Sequence, residues 1–434
     1  DDDRFVHGVG AVRAAHSIGE TMSITATASD EALLRAFEPI LCFTYGELFF
    51  PTAVEGYVQL ASLWELAPDG TAREVVAAGE LDIDRLISEA SMRPDAELSL
   101  RFVDARLDRR AYRAWRKRDE RPVFRSGGRF TRVGLLARVI DSFFRLGLLL
   151  RGRVPGGLTA AAEVAYRTRL TRAHPYYGHV SRDGGYVVLQ YWFFYAMNDW
   201  RSTFGGANDH EADWEQVSVY LAEQPDGTLV PAWVAFSSHD ATGDDLRRRW
   251  DDPELTREGS HAVVFVGAGS HSGAVLPGDY VTAIEPPGRL HRVFRIAQRL
   301  ASVVTPWSRG TIARGIGVPF IDYHRGDGEV IGPGRAHTWT PVVIDDDTPW
   351  VRHYQGLWGL DTRDRFGGER APAGPRYERG GIVRQSWSDP LGWCGLQKVP
   401  PSAEEAQQLL RSSIDAADAD VAALTTEIDE RRRA

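Results

Sequence analysis

The sequence predicts a mostly β fold with inserted basic helices and a C-terminal coiled-coil helix, on three observations. Between Val187 and Tyr220 two long apolar runs flank a Gly-rich polar loop (VVLQYWFFYAMNDWRSTFGGANDHEADWEQVSVY), the pattern of two strands joined by a loop. Two further apolar runs, LVPAWVAFSSHD and HAVVFVGAGSHS, end in Ser238-His239-Asp240 and Ser270-His271-Ser272. Near the end of the chain, Leu410, Ile414, Ala417, Val421, Leu424 and Ile428 alternate four and three apart, a 3.5-residue repeat that favours a helical seam.

In chain order, residues 31–100 read as the N-terminal part of the β core. A short helix is expected at DEALLRAF, strands at ILCFTY and ELFFP, another strand over Tyr57–Leu66, and a helix within Gly79–Met92. Residues 101–175 form a basic helical insertion with 19 Arg or Lys against 6 Asp or Glu, so this segment carries +13 and the remainder −22. Within it, Leu136, Val139, Ile140, Phe143, Phe144 and Leu148 fall near helical spacing, interleaved with Arg132, Arg138, Arg145 and Arg151. Residues 176–285 hold the central strands, and 286–320 a second basic helical segment in which Val293, Ile296, Leu300 and Val303 recur three or four apart. Residues 321–401 are rich in Gly, Pro and Trp, which excludes a long helix and predicts an extended wrap anchored by Trp350, Trp358, Trp387 and Trp393. The last segment, 402–434, opens on a Ser402/Glu405 capping box.

A chain of 434 residues with 43% hydrophobic content can bury a large core in one elaborated domain or two. Lysine occurs only at positions 117 and 398 among 51 basic residues, an arginine bias expected of a GC-rich bacterial coding sequence. Cys42 and Cys394 make no disulfide framework and fit a reducing compartment. No signal peptide and no 18-residue apolar run is visible, so a cytoplasmic or membrane-peripheral location is expected. An opening Asp-Asp-Asp without Met, and a repeat still regular at Arg-Arg-Arg-Ala, are expected of a piece of a longer protein.

The chemistry concentrates at the loop between the two central runs, where Asn198, Asp199, Asp209, His210, Glu211, Asp213 and Glu215 lie. Side chains alternate along a strand, so Asp213, Glu215, Val217 and Val219 share one face and two carboxylates begin a core-facing row. Buried carboxylates need a cation or an arginine beside them. His210 completes a candidate shell with them, and imidazole plus oxygen ligands suits manganese, iron(II), zinc or magnesium better than a pure calcium cage. His239 and His271, at the ends of their strands, are the candidate catalytic acid, base or extra ligand, with the three runs expected to meet at one end of a sheet. Glu47 reads as a solvated strand-end residue, and His174 and His179 as outer neighbours of the site.

QYWFFYAMND followed by DHEADWEQVSV resembles the signature of the vacuolar-protein-sorting "sixty-two" family. More distantly, it is similar to the Gly-His-Arg-His-Asp-Trp-Glu heptapeptide of the necrosis- and ethylene-inducing peptide-like toxins. The second resemblance implies a β-sandwich core that holds a divalent cation through Asp, His, Asp and Glu. Carried over by position, these are Asp199, His210, Asp213 and Glu215; the ion itself (Mg, Mn, Ca or Zn) is not distinguished. Asp209 stands where the motif has Gly and Ala212 where it has its second His, so the resemblance does not by itself imply the toxin activity. The first resemblance extends to FEPILCFTYGELFFPTAVEGYV, the SSHD and GSHS strand ends and WVRHYQGLWG, blocks scattered from Phe37 to Gly359, and implies a fold and a site but no reaction.

Three functions fit these residues: a cation-bearing binding module for a polar or anionic ligand, a metal-dependent hydrolase of phosphoesters or glycans using an activated water, and a coiled-coil scaffold with a structural metal. An anionic membrane surface is the partner expected for the basic helices 131–153 and 289–305, and a second copy of the chain for 402–434. Nucleic acid is disfavoured because no aromatic RNA-binding signature accompanies the arginines, and neither a phosphate-binding loop nor a Cys-rich zinc pattern is present.

Overall fold

The computed structural model describes residues 24–67, 69, 71–103, 105, 107–117, 157–170, 173–200, 209–237, 243–283, 319–360 and 371–433. The first half of the chain supplies β1 (Ile40–Cys42), β2 (Ser62–Leu66), β3 (Ala72–Val76), β4 (Glu97–Arg101), β5 (Pro175–Asp183) and the long pair β6 (Tyr186–Asn198) and β7 (His210–Glu223). The second half supplies β8 (Leu229–Phe236), β9 (Arg248–Arg249), β10 (Arg257–Glu258), β11 (His261–Val266), β12 (Gly273–Ala274), β13 (Gly278–Ala283), β14 (Pro319–His324), β15 (Val330–Ile331) and β16 (Thr340–Val343).

These strands form several sheets. A six-stranded sheet runs β16-β5-β6-β7-β8-β9; a five-stranded sheet runs β10-β11-β1-β15 with β12 on β11; β3-β2-β4 and β13-β14 make smaller ones. The predicted central pair lies in the middle of the six-stranded sheet, in antiparallel register from Tyr186↔Ala222 to Asn198↔His210. Every residue of β6 is buried. That explains why the run is continuously apolar rather than alternating: both faces of the strand meet core.

On one face, Trp192, Phe194 and Trp214 pack with helix Val54–Leu60, the β2/β3/β4 sheet, Trp350 and Trp358. On the other, Tyr191, Phe193, Tyr195, Val217 and Val219 share an apolar layer with Leu41, Val264, Val266 and Ile331 of the five-stranded sheet. The second layer is the one that matters for the site, because it brings two sheets of distant sequence into contact. It also bears on one expectation: β8 and β11 belong to different sheets, and Ser238, His239 and Asp240 lie outside the described residues.

The two local helix expectations come out as read, whereas the strands read at ELFFP, which is irregular, and over Tyr57–Leu66 do not form as such. Helix Asp30–Phe37 forms, capped by Ser29 Oγ accepting from the Ala32 amide at 3.3 Å, and Ile83–Met92 forms with Asp82 as its cap. Tyr57–Leu66, read as one strand, is instead the end of helix Val54–Leu60 followed by β2. Tyr57 is fully buried and its hydroxyl donates to the Trp358 carbonyl at 2.7 Å, so tertiary packing overrides the strand propensity of Tyr and Val. Of the tryptophans in the wrap, Trp350, Trp358 and Trp387 are buried. The last segment is one helix, Ala403–Arg433, with Leu410, Ile414, Val421, Leu424 and Ile428 between 50% and 64% exposed. The basic segments 131–153 and 289–305 lie outside the described residues. Among the described residues no helix is long and apolar enough to cross a membrane.

Candidate functional site at the end of the central hairpin

The predicted shared face of Asp213 and Glu215 is extended by a kink that the sequence does not announce. Ala212 takes a left-handed backbone, φ 59°, unusual for a residue with a side chain. The alternation of β7 breaks there. Ala212 and Trp214 face the tryptophan-rich core, and so does Glu211, whose buried carboxylate accepts from the amides of Phe102 (3.1 Å), Val103 (2.9 Å) and Leu360 (3.0 Å). Burial pushes the Glu211 carboxyl up to about 7 against the pull of those amides. His210, one residue further on, therefore falls on the side of Asp213. Its strand partner Asn198 confirms the side, since Asn198 Nδ2 donates to Asp213 Oδ2 at 3.0 Å. His210 Nδ1 lies 2.7 Å from the Ala212 carbonyl and must be the donor there, which turns Nε2 away from that contact. That is how metal-binding histidines are commonly oriented.

At the centre stands a buried cluster of charged groups contributed by three remote segments. His271 Nδ1 contacts Asp213 Oδ2 at 2.9 Å, and its Nε2 lies 3.6 Å from Glu47 Oε1, an ion-pair rather than a hydrogen-bond distance. The ring stacks on Tyr195 with centroids 3.8 Å apart and planes within 5°. Burial works against a charged imidazole, yet the bonds and charges of Asp213 and Glu47 outweigh it, and the His271 pKa rises to about 9. At neutral pH the ring is an imidazolium, a donor at both nitrogens. His271 holds φ 55° to reach this position.

Glu47 is the residue that sequence reading missed. Rather than extending into solvent, its side chain is buried to 2% exposure. Oε1 accepts from the amides of Leu48 and Phe49 at 2.8 and 3.0 Å, and Oε2 from the amide of Gly269 at 2.8 Å. A lone Glu before Leu-Phe-Phe-Pro carries no signal for this; to the two local amides the approach of the β11–β12 turn adds Gly269 and His271. Asp199 is brought to the same turn by its backbone, whose amide donates to the Gly269 carbonyl at 2.9 Å. The approach is so close that a Cβ on Gly269 would stand 1.8 Å from the Asp199 carbonyl oxygen.

Glu215 accepts from Ser237 Oγ, which in turn accepts from the Gln216 amide at 2.6 Å. Glu215 and His271 line a small cavity between the two sheets, walled by Leu41, Phe193, Val217 and Val264. Asp199, His210, Asp213 and Glu215 thus occupy one end of the hairpin and its facing turn. No three of them bring their ligand atoms within 4.8 Å of one another, whereas among the described residues His174, Glu329 and His337 do. This His/Glu/His group could hold a metal ion, and the sequence reading did not assemble it. His239 lies outside the described residues.

The remaining candidates have structural surroundings. His179 stacks on Trp387 at 3.9 Å and meets Gln190 Oε1 at 2.8 Å, and burial lowers its pKa. Ser270 and Ser272 both donate to the buried Asp322, at 2.7 Å each. His324 Nε2 lies 3.0 Å from Asp322 and 3.4 Å from Ser272, while its Nδ1 faces the Phe265 carbonyl. A nucleophilic triad needs the imidazole to bridge serine and carboxylate through its two different nitrogens. Here one nitrogen faces both, so the cluster is a buried brace for the β11–β12 turn.

No protein-family model matches the chain, and no curated protein matches it. Among solved structures there is distant similarity, at low coverage, to necrosis and ethylene inducing proteins. Necrosis and Ethylene inducing Protein 2 from the causal agent of cocoa's Witches Broom disease is 18% identical over 24% of this chain and 45% of its own, with a TM-score of 0.19. NLPPya in complex with mannosamine is 19% identical over 24% of this chain and 44% of its own, TM-score 0.18. The glucosamine complex of the same protein matches over 21% and 37%, TM-score 0.16. The chain spans less than half the length of these structures.

Proposed function

We propose that the chain is a ligand-binding module with a β-sandwich core, whose polar site at the end of β6 and β7 takes a divalent cation and, through it, a polar or anionic ligand. The observation that carries this reading is the convergence of acidic side chains at one end of the hairpin: Asp213 and Glu47 flank His271, Glu215 lines the same small cavity, and Asp199 is buried at the facing turn. Burying carboxylates is costly, and a bound cation would add to the positive charge that His271 and Arg384 bring to them. Asp199, His210, Asp213 and Glu215 are the residues that would hold it; the ion would supply a positive charge to which an anionic or hydroxylated ligand can bind. His271 Nδ1, 2.9 Å from Asp213 Oδ2, would orient that carboxylate toward the ion. The sandwich reading rests on the apolar layer shared by the six- and five-stranded sheets, and membership of the vacuolar-protein-sorting family stays a proposal from the sequence blocks alone.

Calorimetric titration of the full chain with Mn²⁺ tests the site. The proposal expects one ion bound by the wild type, loss of binding in Asp213→Asn, and at least about tenfold weaker binding in the near-isosteric Glu215→Gln, whose position is only partly buried. Equal binding by all three proteins would remove the assignment.

A further inference from the structure

We infer that His174, Glu329 and His337 form a second, independent cation site, selective for a zinc-like divalent transition metal, that clasps the two large sheets together. His174 immediately precedes β5 of the six-stranded sheet, Glu329 immediately precedes β15 of the five-stranded sheet, and His337 lies on the turn that leaves β15 for β16. The three therefore meet at the edge where the two sheets abut.

The spacing is the discriminating feature. Glu329 Oε1 stands 3.9 Å from His174 Nε2 and 3.6 Å from His337 Nε2. Both distances exceed a hydrogen bond. They fit donors around a common ion: with metal–ligand distances of about 2.0–2.2 Å, tetrahedral corners lie about 3.4 Å apart. The two rings are 5.3 Å apart and inclined by 71°, so they approach a shared point from different directions rather than stacking.

Each ligand is anchored through its backbone. The His174 carbonyl accepts from Thr340 at 3.1 Å, the Glu329 carbonyl from Phe43 at 2.9 Å and the His337 carbonyl from Gly332 at 2.9 Å. Gly332 makes the last anchor possible: at φ 147° its missing Cβ would stand 3.0 Å from the Ile40 Cα. Arg335, the neighbouring cation on that turn, pairs with Glu258. His174 is buried and His337 exposed, which leaves one side of the triad open to water as a fourth ligand. Two imidazoles and one carboxylate select zinc, cobalt or nickel over magnesium and calcium, which require oxygen shells.

The test is titration of the full chain with Zn²⁺ by calorimetry, with thermal unfolding as a second readout. Wild type and Asp213→Asn should each bind Zn²⁺ at the clasp and unfold at higher temperature with it. His337→Ala, a change at an exposed position, should bind at least about tenfold more weakly, since even outer-shell losses cost roughly 10- to 100-fold, and should lose the thermal shift. Zinc binding and thermal shift that are the same in wild type and His337→Ala, or absent from both, would overturn the inference. Loss of binding in Asp213→Asn alone would overturn it too, by assigning zinc to the hairpin site.

Discussion

The buried imidazolium makes a prediction about pH that its geometry quantifies. His271 has a pKa of about 9 in the folded protein against an ordinary value of 6.5. Because the folded value is the raised one, the native state holds the proton more tightly than the unfolded chain. The stabilisation is complete below pH 6.5 and is lost as pH rises through 9. At about 1.36 kcal/mol per unit, the difference amounts to roughly 3 kcal/mol across this window. The perturbation is His271→Gln, which keeps a donor beside Asp213 but removes the charge. Urea unfolding of both proteins at intervals from pH 6 to pH 10 gives the unfolding free energy at each point. Glu211, with a pKa raised to about 7, also contributes stability that fades with rising pH, between 4.5 and 7, but does so equally in both proteins and cancels in their difference. The wild type should exceed the variant by roughly 3 kcal/mol more at pH 6.5 than at pH 9.5 or above. A difference that stays constant over the window would show that His271 is not held as a cation between Asp213 and Glu47, and the charge argument for the site would fall with it.

Three further outcomes are expected. Gly269→Ala, at φ 71° with the Asp199 carbonyl in the way of its Cβ, should destabilise the fold by more than about 2 kcal/mol in urea unfolding and weaken Mn²⁺ binding. The exposed stripe of helix Ala403–Arg433 should pair with a second copy of the chain, so sedimentation should show a dimer that Leu424→Asp converts to monomer; a monomeric wild type at high concentration would remove the coiled coil. Vesicles containing anionic lipid should sediment with the chain at low salt and release it at high salt if segments 131–153 and 289–305 contact a membrane, and no binding at low salt would rule the contact out.

Much of the site's chemistry was legible because it lies within one stretch. Strand alternation sufficed to place Asp213 and Glu215 on one face, and the polar loop between two apolar runs marked the place. The long fully buried β6 was visible as a continuous apolar run, and the heptad spacing marked the last helix before any coordinates. Local sequence carries these features because they depend only on backbone periodicity. Glu47, by contrast, lies more than two hundred residues from His271 and acquires its role from the Gly269 amide and the His271 ring that a remote turn delivers. The flip at Ala212, which brings His210 round to Asp213, reflects packing of Glu211 against residues 102, 103 and 360. The clasp of His174, Glu329 and His337 joins segments on two sheets. Which acids and imidazoles are available was fixed by the sequence; which of them share a low-dielectric space, and so which are charged, was decided by how the two sheets close over one apolar layer.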